Sequence, residues 1–139
     1  MPISCKTILF RAILRNGWFD PDNLTAVNAD AFFRRPPIET EGVRNPRDED
    51  GLSLFRADRI DPDGCIDEFS RCFGIVSLHA GTLMDFGLRI VEDNEDSRKV
   101  LITNLPYENP GTPEAEKLAG DVAKSARIVR RNPKGKTVS

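Results

Sequence analysis

The side chains with the clearest chemical potential in this sequence are its arginines, which outnumber the lysines 14 to 6. A guanidinium presents a planar fork of donors that matches a carboxylate or a phosphate, whereas a lysine presents a single point charge. Arg11 lies between apolar neighbours, where a charge is costly unless it is paired. Arg34 and Arg35 directly precede a charged segment that closes with Asp48-Glu49-Asp50.

These arginines allow two interpretations. The first is an ion-pair network that holds the segment 36–50 against the first strand, and the sequence favours it. The second is an anion pocket, covered by that segment, in which Arg11 and either Arg34 or Arg35 bind a phosphate-bearing molecule. On the second interpretation Arg11, Arg34 and Arg35 are the candidate ligand-binding residues.

His79 is the only histidine, so any histidine acting as a general acid or base must be this residue. It is predicted near the end of a buried strand, where a side chain can face a cleft. The favoured interpretation is nevertheless a hydrogen-bonded structural histidine on the sheet. Ser53, on another predicted strand, is the second catalytic candidate. No complete catalytic constellation accompanies the two, so the sequence favours a protein that is not an enzyme.

The beginning of the chain resembles, in a few residues, the opening of the RES and other ADP-ribosyltransferase-like toxins. Phe10-Arg11 on an early strand and Leu52-Ser53-Leu54 on a later one carry this resemblance. In those toxins an early arginine or histidine holds NAD, so the resemblance implies a nucleotide-like ligand near Arg11. The glycine-rich Arg-Trp-Asn segment of the family is missing here, and no position matches its catalytic glutamate.

Other catalytic and metal-binding patterns are absent from the sequence. It contains no glycine-rich phosphate loop, no H-E-x-x-H and no G-x-S-x-G. The stretch from Asp61 begins like a calcium loop, but Ile66 and Cys72 stand where that loop needs glycine and glutamate. The acidic run 92–96 is interpreted as a solvated hairpin tip, and the three cysteines as small buried apolar residues. We therefore predict no metal and no cofactor.

Strands and short helices interleave along the chain. Strands are predicted over 6–15, 52–57 and 75–80, with a hairpin formed by 88–92 and 100–104. Helices are predicted from Asn28 to Arg34, over 62–72 behind an Asp61 cap, and over 113–127 behind a Thr112 cap. The prediction is an α+β fold, with a small mixed, largely antiparallel sheet and about three packed helices.

Charge and length suggest how the chain is organised. Residues 1–127 are predicted to form one compact domain that carries the long charged loop 36–50, and residues 128–139 a basic flexible tail. Five basic residues follow Ser125 without an acid, and the remainder has 15 basic and 22 acidic residues, a net charge of −7. The tail therefore opposes the body in sign.

These observations favour a small domain that acts as a protein-interaction or regulatory accessory module, with a protein partner or a second copy of itself. The alternative is a small enzyme or ligand-binding domain for a nucleotide or NAD-like molecule. Nucleic-acid binding is disfavoured because the whole chain carries a net charge of −2. The longest uncharged run has 12 residues, 73–84, which is too short to span a bilayer, so we expect a cytoplasmic protein without a membrane segment.

Overall fold

The computed structural model describes residues 3–19, 26–108, 111–132 and 134–135. Within these ranges the structure has eight strands: β1 (Ile8–Ile13), β2 (Ile38–Thr40), β3 (Val43–Asn45), β4 (Leu52–Arg56), β5 (Gly74–His79), β6 (Ile90–Glu92), β7 (Lys99–Ile102) and β8 (Arg127–Arg131). The α-helices are α1 (Pro62–Asp67), α2 (Ala80–Asp85) and α3 (Pro113–Ser125). Two short 3-10 helices cover Asn16–Trp18 and Ala29–Phe32.

Six of the strands form one sheet in the order β6-β7-β4-β1-β5-β8, and β2 and β3 form a separate hairpin. Every pairing between these strands is antiparallel. The parallel element is an isolated bridge between Arg34 and Tyr107. The predicted α+β fold with a largely antiparallel sheet and three helices is therefore confirmed.

The three predicted helix caps are also confirmed. The Asp61 carboxylate accepts a hydrogen bond from the Gly64 N–H at 2.7 Å, and the Thr112 hydroxyl accepts one from Ala115 at 3.4 Å. The Asn28 side chain accepts one from Asp30 at 3.0 Å, although the helix that follows is a single 3-10 turn.

The predicted helix ends differ from the observed ones. The helix predicted over 62–72 ends at Asp67, and the one predicted over 113–127 ends at Ser125. Helix α3 stops because Ala126 takes an extended backbone conformation and leads the chain into β8.

Side chains alternate between the two faces of the sheet, and each face has its own core. Leu9 and Ile13 of β1 pack on the face covered by α3 and the 3-10 helix Ala29–Phe32. Phe10 and Ala12 pack on the opposite face, with residues of α1. Arg11, two residues from both Leu9 and Ile13, therefore lies on the α3 face.

The cysteines were predicted to be buried, and this holds for two of the three. Cys65 and Cys72 are buried on the α1 face, whereas Cys5 is exposed. Burial raises the pKa of the Cys65 thiol to about 12 and also raises the pKa of Cys72. Both buried thiols therefore stay protonated at neutral pH and are poor nucleophiles.

Two segments predicted to lack regular structure contain strands. The loop predicted over 36–50 contains the β2–β3 hairpin, which turns at Glu41 and Gly42 with φ of 53° and 79°. Two consecutive positive φ values are typical of the tight two-residue hairpin turn. The basic tail predicted from residue 128 begins instead with β8, which pairs with β5 at the edge of the sheet. Residues 133 and 136–139 of that tail lie outside the described residues.

No helix within the described ranges is long and apolar enough to cross a bilayer.

Candidate functional site

Arg11 is a buried cation in the middle of β1, with only 9% of its surface exposed. Its Nε donates to the Ala31 carbonyl at 2.9 Å, and its Nη1 donates to the Ser53 carbonyl at 3.3 Å. The guanidinium carbon also lies 5.3 Å from the centre of the Trp18 ring. Burial lowers the pKa of Arg11 to about 10, against the opposing effect of Asp48, so the side chain remains charged at neutral pH. Arg11 thus joins three parts of the chain by its side chain alone.

Arg35 and Asp48 form a two-pronged ion pair. Arg35 Nε lies 3.0 Å from Asp48 Oδ2, and Arg35 Nη2 lies 3.2 Å from Oδ1. The Arg35 backbone N–H donates to Oδ2 at 2.8 Å, and the Asp48 N–H donates to the Arg35 carbonyl at 3.3 Å. Burial would raise the pKa of Asp48, but the hydrogen bonds from Arg35 outweigh it and hold this pKa below its usual value. These four bonds hold Arg35 and Asp48 together, so the segment between them forms a closed loop.

Arg34 also links the two ends of this segment, and it joins them to the chain that follows β7. Its Nε donates to the Leu105 carbonyl at 2.6 Å, and its Nη1 donates to the Glu49 carbonyl at 3.1 Å. Its guanidinium carbon lies 4.1 Å from the centre of the Tyr107 ring. The Arg34 carbonyl accepts from the Glu108 N–H at 2.8 Å. We call Arg11, Arg34, Arg35 and Asp48 together the arginine base.

The hairpin formed by β2 and β3 rises from this base, and we call residues 38–45 the ribbon. In its register Ile38 pairs with Asn45, Glu39 with Arg44 and Thr40 with Val43. Paired residues share a face, so one face carries Ile38, Thr40, Val43 and Asn45, and the other carries the opposite charges of Glu39 and Arg44. All six strand residues are exposed, including 46% of Ile38 and 69% of Val43. The ribbon therefore presents Ile38 and Val43 to solvent on the same face, which we call its apolar face.

On the charged face of the ribbon, Arg44 Nη2 lies 2.6 Å from Glu49 Oε2. This ion pair lowers the pKa of Glu49 through the hydrogen bond from Arg44. Both side chains are largely exposed, so the pair contributes little to stability. It orients the ribbon with respect to the segment that returns to β4.

A cleft of about 600 Å³ lies next to the base of the ribbon. Its polar rim includes Asp50, Asp93 and Glu95, and its apolar wall includes Val91 and Leu101. The cleft is bounded by the segment after β3 on one side and by the turn between β6 and β7 on the other. Its rim has a surplus of negative charge.

The predicted site residues divide into two groups. Arg11, Arg34 and Arg35 come together at the arginine base, and the donors described above are directed at protein carbonyls and at Asp48. Of the three, Arg35 forms an ion pair, with Asp48, whereas Arg11 and Arg34 donate to backbone carbonyls. A phosphate-bearing ligand stays a prediction, since these donors would have to exchange their partners to bind it.

The two catalytic candidates do not join this group. His79 pairs with Ile8 across β5 and β1, and Ser53 lies two residues from Phe55, the partner of Phe10. Both side chains therefore lie on the α1 face, opposite Arg11. His79 is exposed and directly precedes α2, and its side chain accepts no capping hydrogen bond from the N–H groups of that helix. Ser53 contributes its carbonyl, not its hydroxyl, to the bonds of Arg11.

The sequence interpretation missed the apolar face of the ribbon. The available signal was Glu41-Gly42, flanked by Ile-Glu-Thr and Val-Arg-Asn, because an X-Gly pair between alternating residues favours a two-residue hairpin turn. The three prolines of the segment and its charges outweighed that signal.

Comparisons of this chain with protein-family models, with curated proteins and with solved structures found no match. Within the described part of the chain, no group of three or more histidine, cysteine or acidic side chains is arranged to hold a metal ion.

Proposed function

We propose that this chain is a protein-interaction module and that the ribbon is its contact surface. The observation that carries the proposal is the contrast between the exposed apolar face of the ribbon and the partly buried hydrogen-bond network that holds its two ends. Apolar side chains that face solvent on a fixed support are typical of surfaces that bind another protein.

The support matters because a two-stranded hairpin is marginally stable by itself in water. The ion pair between Arg35 and Asp48 joins the chain just before the ribbon to the chain just after it. Arg34 adds a bond to the Glu49 carbonyl, and this too is a contact across the closure. A surface held in one conformation loses less conformational entropy on binding than a flexible loop does.

The exposure of Ile38 and Val43 also sets how strongly their substitution should weaken partner binding. Ile38 and Val43 each bury further surface when a partner covers them, and full burial of such a side chain is worth about 1.5–3 kcal/mol. Since both are only partly exposed, we expect about 1 kcal/mol from each on the same scale. Replacing both by a charged residue should weaken partner binding by more than about thirtyfold, because the charges also lose hydration.

The experiment is native mass spectrometry of the full chain, tagged at the N-terminus and purified from its own host. The wild type is compared with a double variant, Ile38→Glu with Val43→Glu. A matched control, Met84→Glu with Phe86→Glu, changes two other exposed apolar residues, 37% and 36% exposed, near the end of α2.

We expect a stoichiometric protein complex for the wild type and the control, and loss of that complex in the ribbon variant. Circular dichroism of the three proteins should be the same. A complex that survives the ribbon variant would contradict the proposal, and so would a wild type that carries a phosphate-containing small molecule and no protein.

A further inference from the structure

The two edges of the six-stranded sheet carry opposite charge. Strand β6 forms one edge and β8 the other, with four strands between them. Adjacent strands lie about 4.8 Å apart, so the edges are separated by about 24 Å. The cleft with the acidic rim lies at the β6 end of the sheet. The opposite edge is formed by the arginine-rich strand β8.

The cleft combines negative charge with an apolar wall. Asp50, Asp93 and Glu95 stand on its rim, and Val91 and Leu101 contribute its apolar surface. Within the described ranges, none of these three acids forms a salt bridge. The volume of about 600 Å³ lies within the range of clefts that hold a ligand or a short chain segment.

Strand β8 has the complementary pattern. Arg127, Val129 and Arg130 are exposed. The register of β8 shifts at Val129, so Arg127 and Arg130 pair with Ser77 and Ile75 and lie on the same face, with Val129 between them along the strand. Val129 is 44% exposed. Arg130 donates to Asp63 at 2.9 Å, but both side chains are more than half exposed. Breaking this ion pair therefore costs little free energy, and Arg130 can pair with another carboxylate. The charges and the central apolar residue of β8 match the rim and the wall of the cleft.

We propose that β8 of one copy of this chain docks in the acidic cleft of a second copy. Val129 contacts Val91 and Leu101 of that copy, while Arg127 and Arg130 pair with the rim carboxylates. The charge complementarity selects this occupant, because both surfaces belong to the same chain and lie at opposite edges of its sheet. Asp48 of the arginine base also lines the cleft, but the proposed contact uses Asp50, Asp93 and Glu95 and not the apolar face of the ribbon, so it does not rest on the function proposed above.

Because the two surfaces differ, the contact is head-to-tail. Each copy in a pair keeps one free cleft and one free β8, and further copies add until a ring closes or a fibre forms. Salt weakens the association since its charged groups lie at the surface.

The test is sedimentation velocity on the full chain with two charge-reversed variants. The cleft variant is Asp93→Lys with Glu95→Lys, and the strand variant is Arg127→Glu with Arg130→Glu. A control reverses the same number of exposed charges on α3, Glu114→Lys with Glu116→Lys.

We expect the wild type and the control to associate as the protein concentration rises. Their dissociation constant should be at least tenfold higher in 0.5 M than in 0.05 M sodium chloride. Each variant alone should remain monomeric. An equimolar mixture of the two should associate again, because the unchanged β8 of the cleft variant meets the unchanged cleft of the strand variant, and the two reversed surfaces also attract each other. This recovery also shows that both variants are folded.

Three results would overturn the proposal. The first is a wild type that stays monomeric up to about 1 mM, the concentration at which even a weak contact forms. The second is association that neither variant weakens, and the third is a mixture that does not recover. A monomeric wild type that loses a host protein in the cleft variant would assign the cleft to a basic segment of another protein. The ribbon variant Ile38→Glu with Val43→Glu should associate like the wild type, which separates this test from the previous one.

Discussion

The arginine base and the ribbon are neighbouring regions that differ in which side chains they expose to water. In the base, charged side chains are withdrawn from water: Arg11 and Asp48 are each only 9% exposed. In the ribbon, apolar side chains face water, and Val43 is 69% exposed. The usual distribution of polar and apolar residues is thus reversed at both places.

The difference indicates separate roles for the two regions. A buried guanidinium whose hydrogens are bonded to carbonyls is costly to disturb, so the base fixes position. An exposed apolar face adds little to the stability of the isolated domain, and it becomes useful when something covers it. The role of the base can therefore be tested by stability, whereas the role of the apolar face of the ribbon can be tested only by binding.

The largest effect is expected at Arg11. Arg11→Met removes the donors to the Ala31 and Ser53 carbonyls and leaves those acceptors without this partner. We expect the free energy of unfolding to fall by about 3 kcal/mol, measured by urea denaturation. Arg15→Met, at an exposed position, is the control and should change it by less than about 0.5 kcal/mol. Equal effects of the two substitutions would contradict the role given to Arg11.

The next effect is expected at Asp48. Asp48→Asn removes the charge that pairs with Arg35, and we expect a loss of about 1–2 kcal/mol in unfolding free energy. Because the closure of the ribbon loosens, trypsin should cleave after Arg44 several times faster. Asp85→Asn, at an exposed position at the end of α2, should leave the cleavage rate unchanged. An unchanged cleavage rate in Asp48→Asn would contradict the claim that this ion pair holds the ribbon in place.

The same pair predicts a dependence on pH. The pKa of Asp48 is lower in the folded chain than its unfolded value of about 3.9, so its contribution is fully present above about pH 4. That contribution is lost as the pH falls through the lower folded pKa. The stability difference between wild type and Asp48→Asn should therefore be constant from pH 5 to 7 and shrink below about pH 4. A difference that persists undiminished at pH 2 would contradict the ion pair as its cause.

The smallest effect on stability is expected at the turn of the ribbon. Gly42 has φ of 79°, a conformation that strains a residue with a side chain. Gly42→Ala should cost about 1 kcal/mol in the local stability of the ribbon, seen as faster amide exchange over 38–45. Exchange in β1 and β5 should stay as in the wild type. Faster exchange throughout the sheet would mean that the ribbon and the sheet unfold as one unit.

The sequence could predict the parts of the fold that depend on short-range patterns. The apolar run around Arg11 predicts β1, and the Asp61 and Thr112 caps predict the starts of α1 and α3. A buried charge among apolar residues also predicts that Arg11 is paired. The particular acceptors, the carbonyls of Ala31 and Ser53, come from distant segments and are set by packing.

Strand β8 could not be predicted in the same way, because its residues are mostly charged and only Ile128 is directed toward a core. Such an edge strand exists through its pairing with β5, and pairing leaves little trace in the local sequence. The ribbon was obscured for a similar reason, since neither of its faces is buried. The sequence also indicates His79 and Ser53 as catalytic candidates. It does not show that their side chains lie on the opposite face of the sheet from Arg11.

The most direct test of the central claim is photo-crosslinking in the host, with benzoylphenylalanine placed at Val43 in the full chain. Phe86, an exposed aromatic residue at the end of α2, is the control position. We expect one discrete crosslinked protein from position 43, lost when Ile38→Glu is added, and none from position 86. No crosslink from position 43, or the same products from both positions, would contradict the claim that the ribbon is the contact surface.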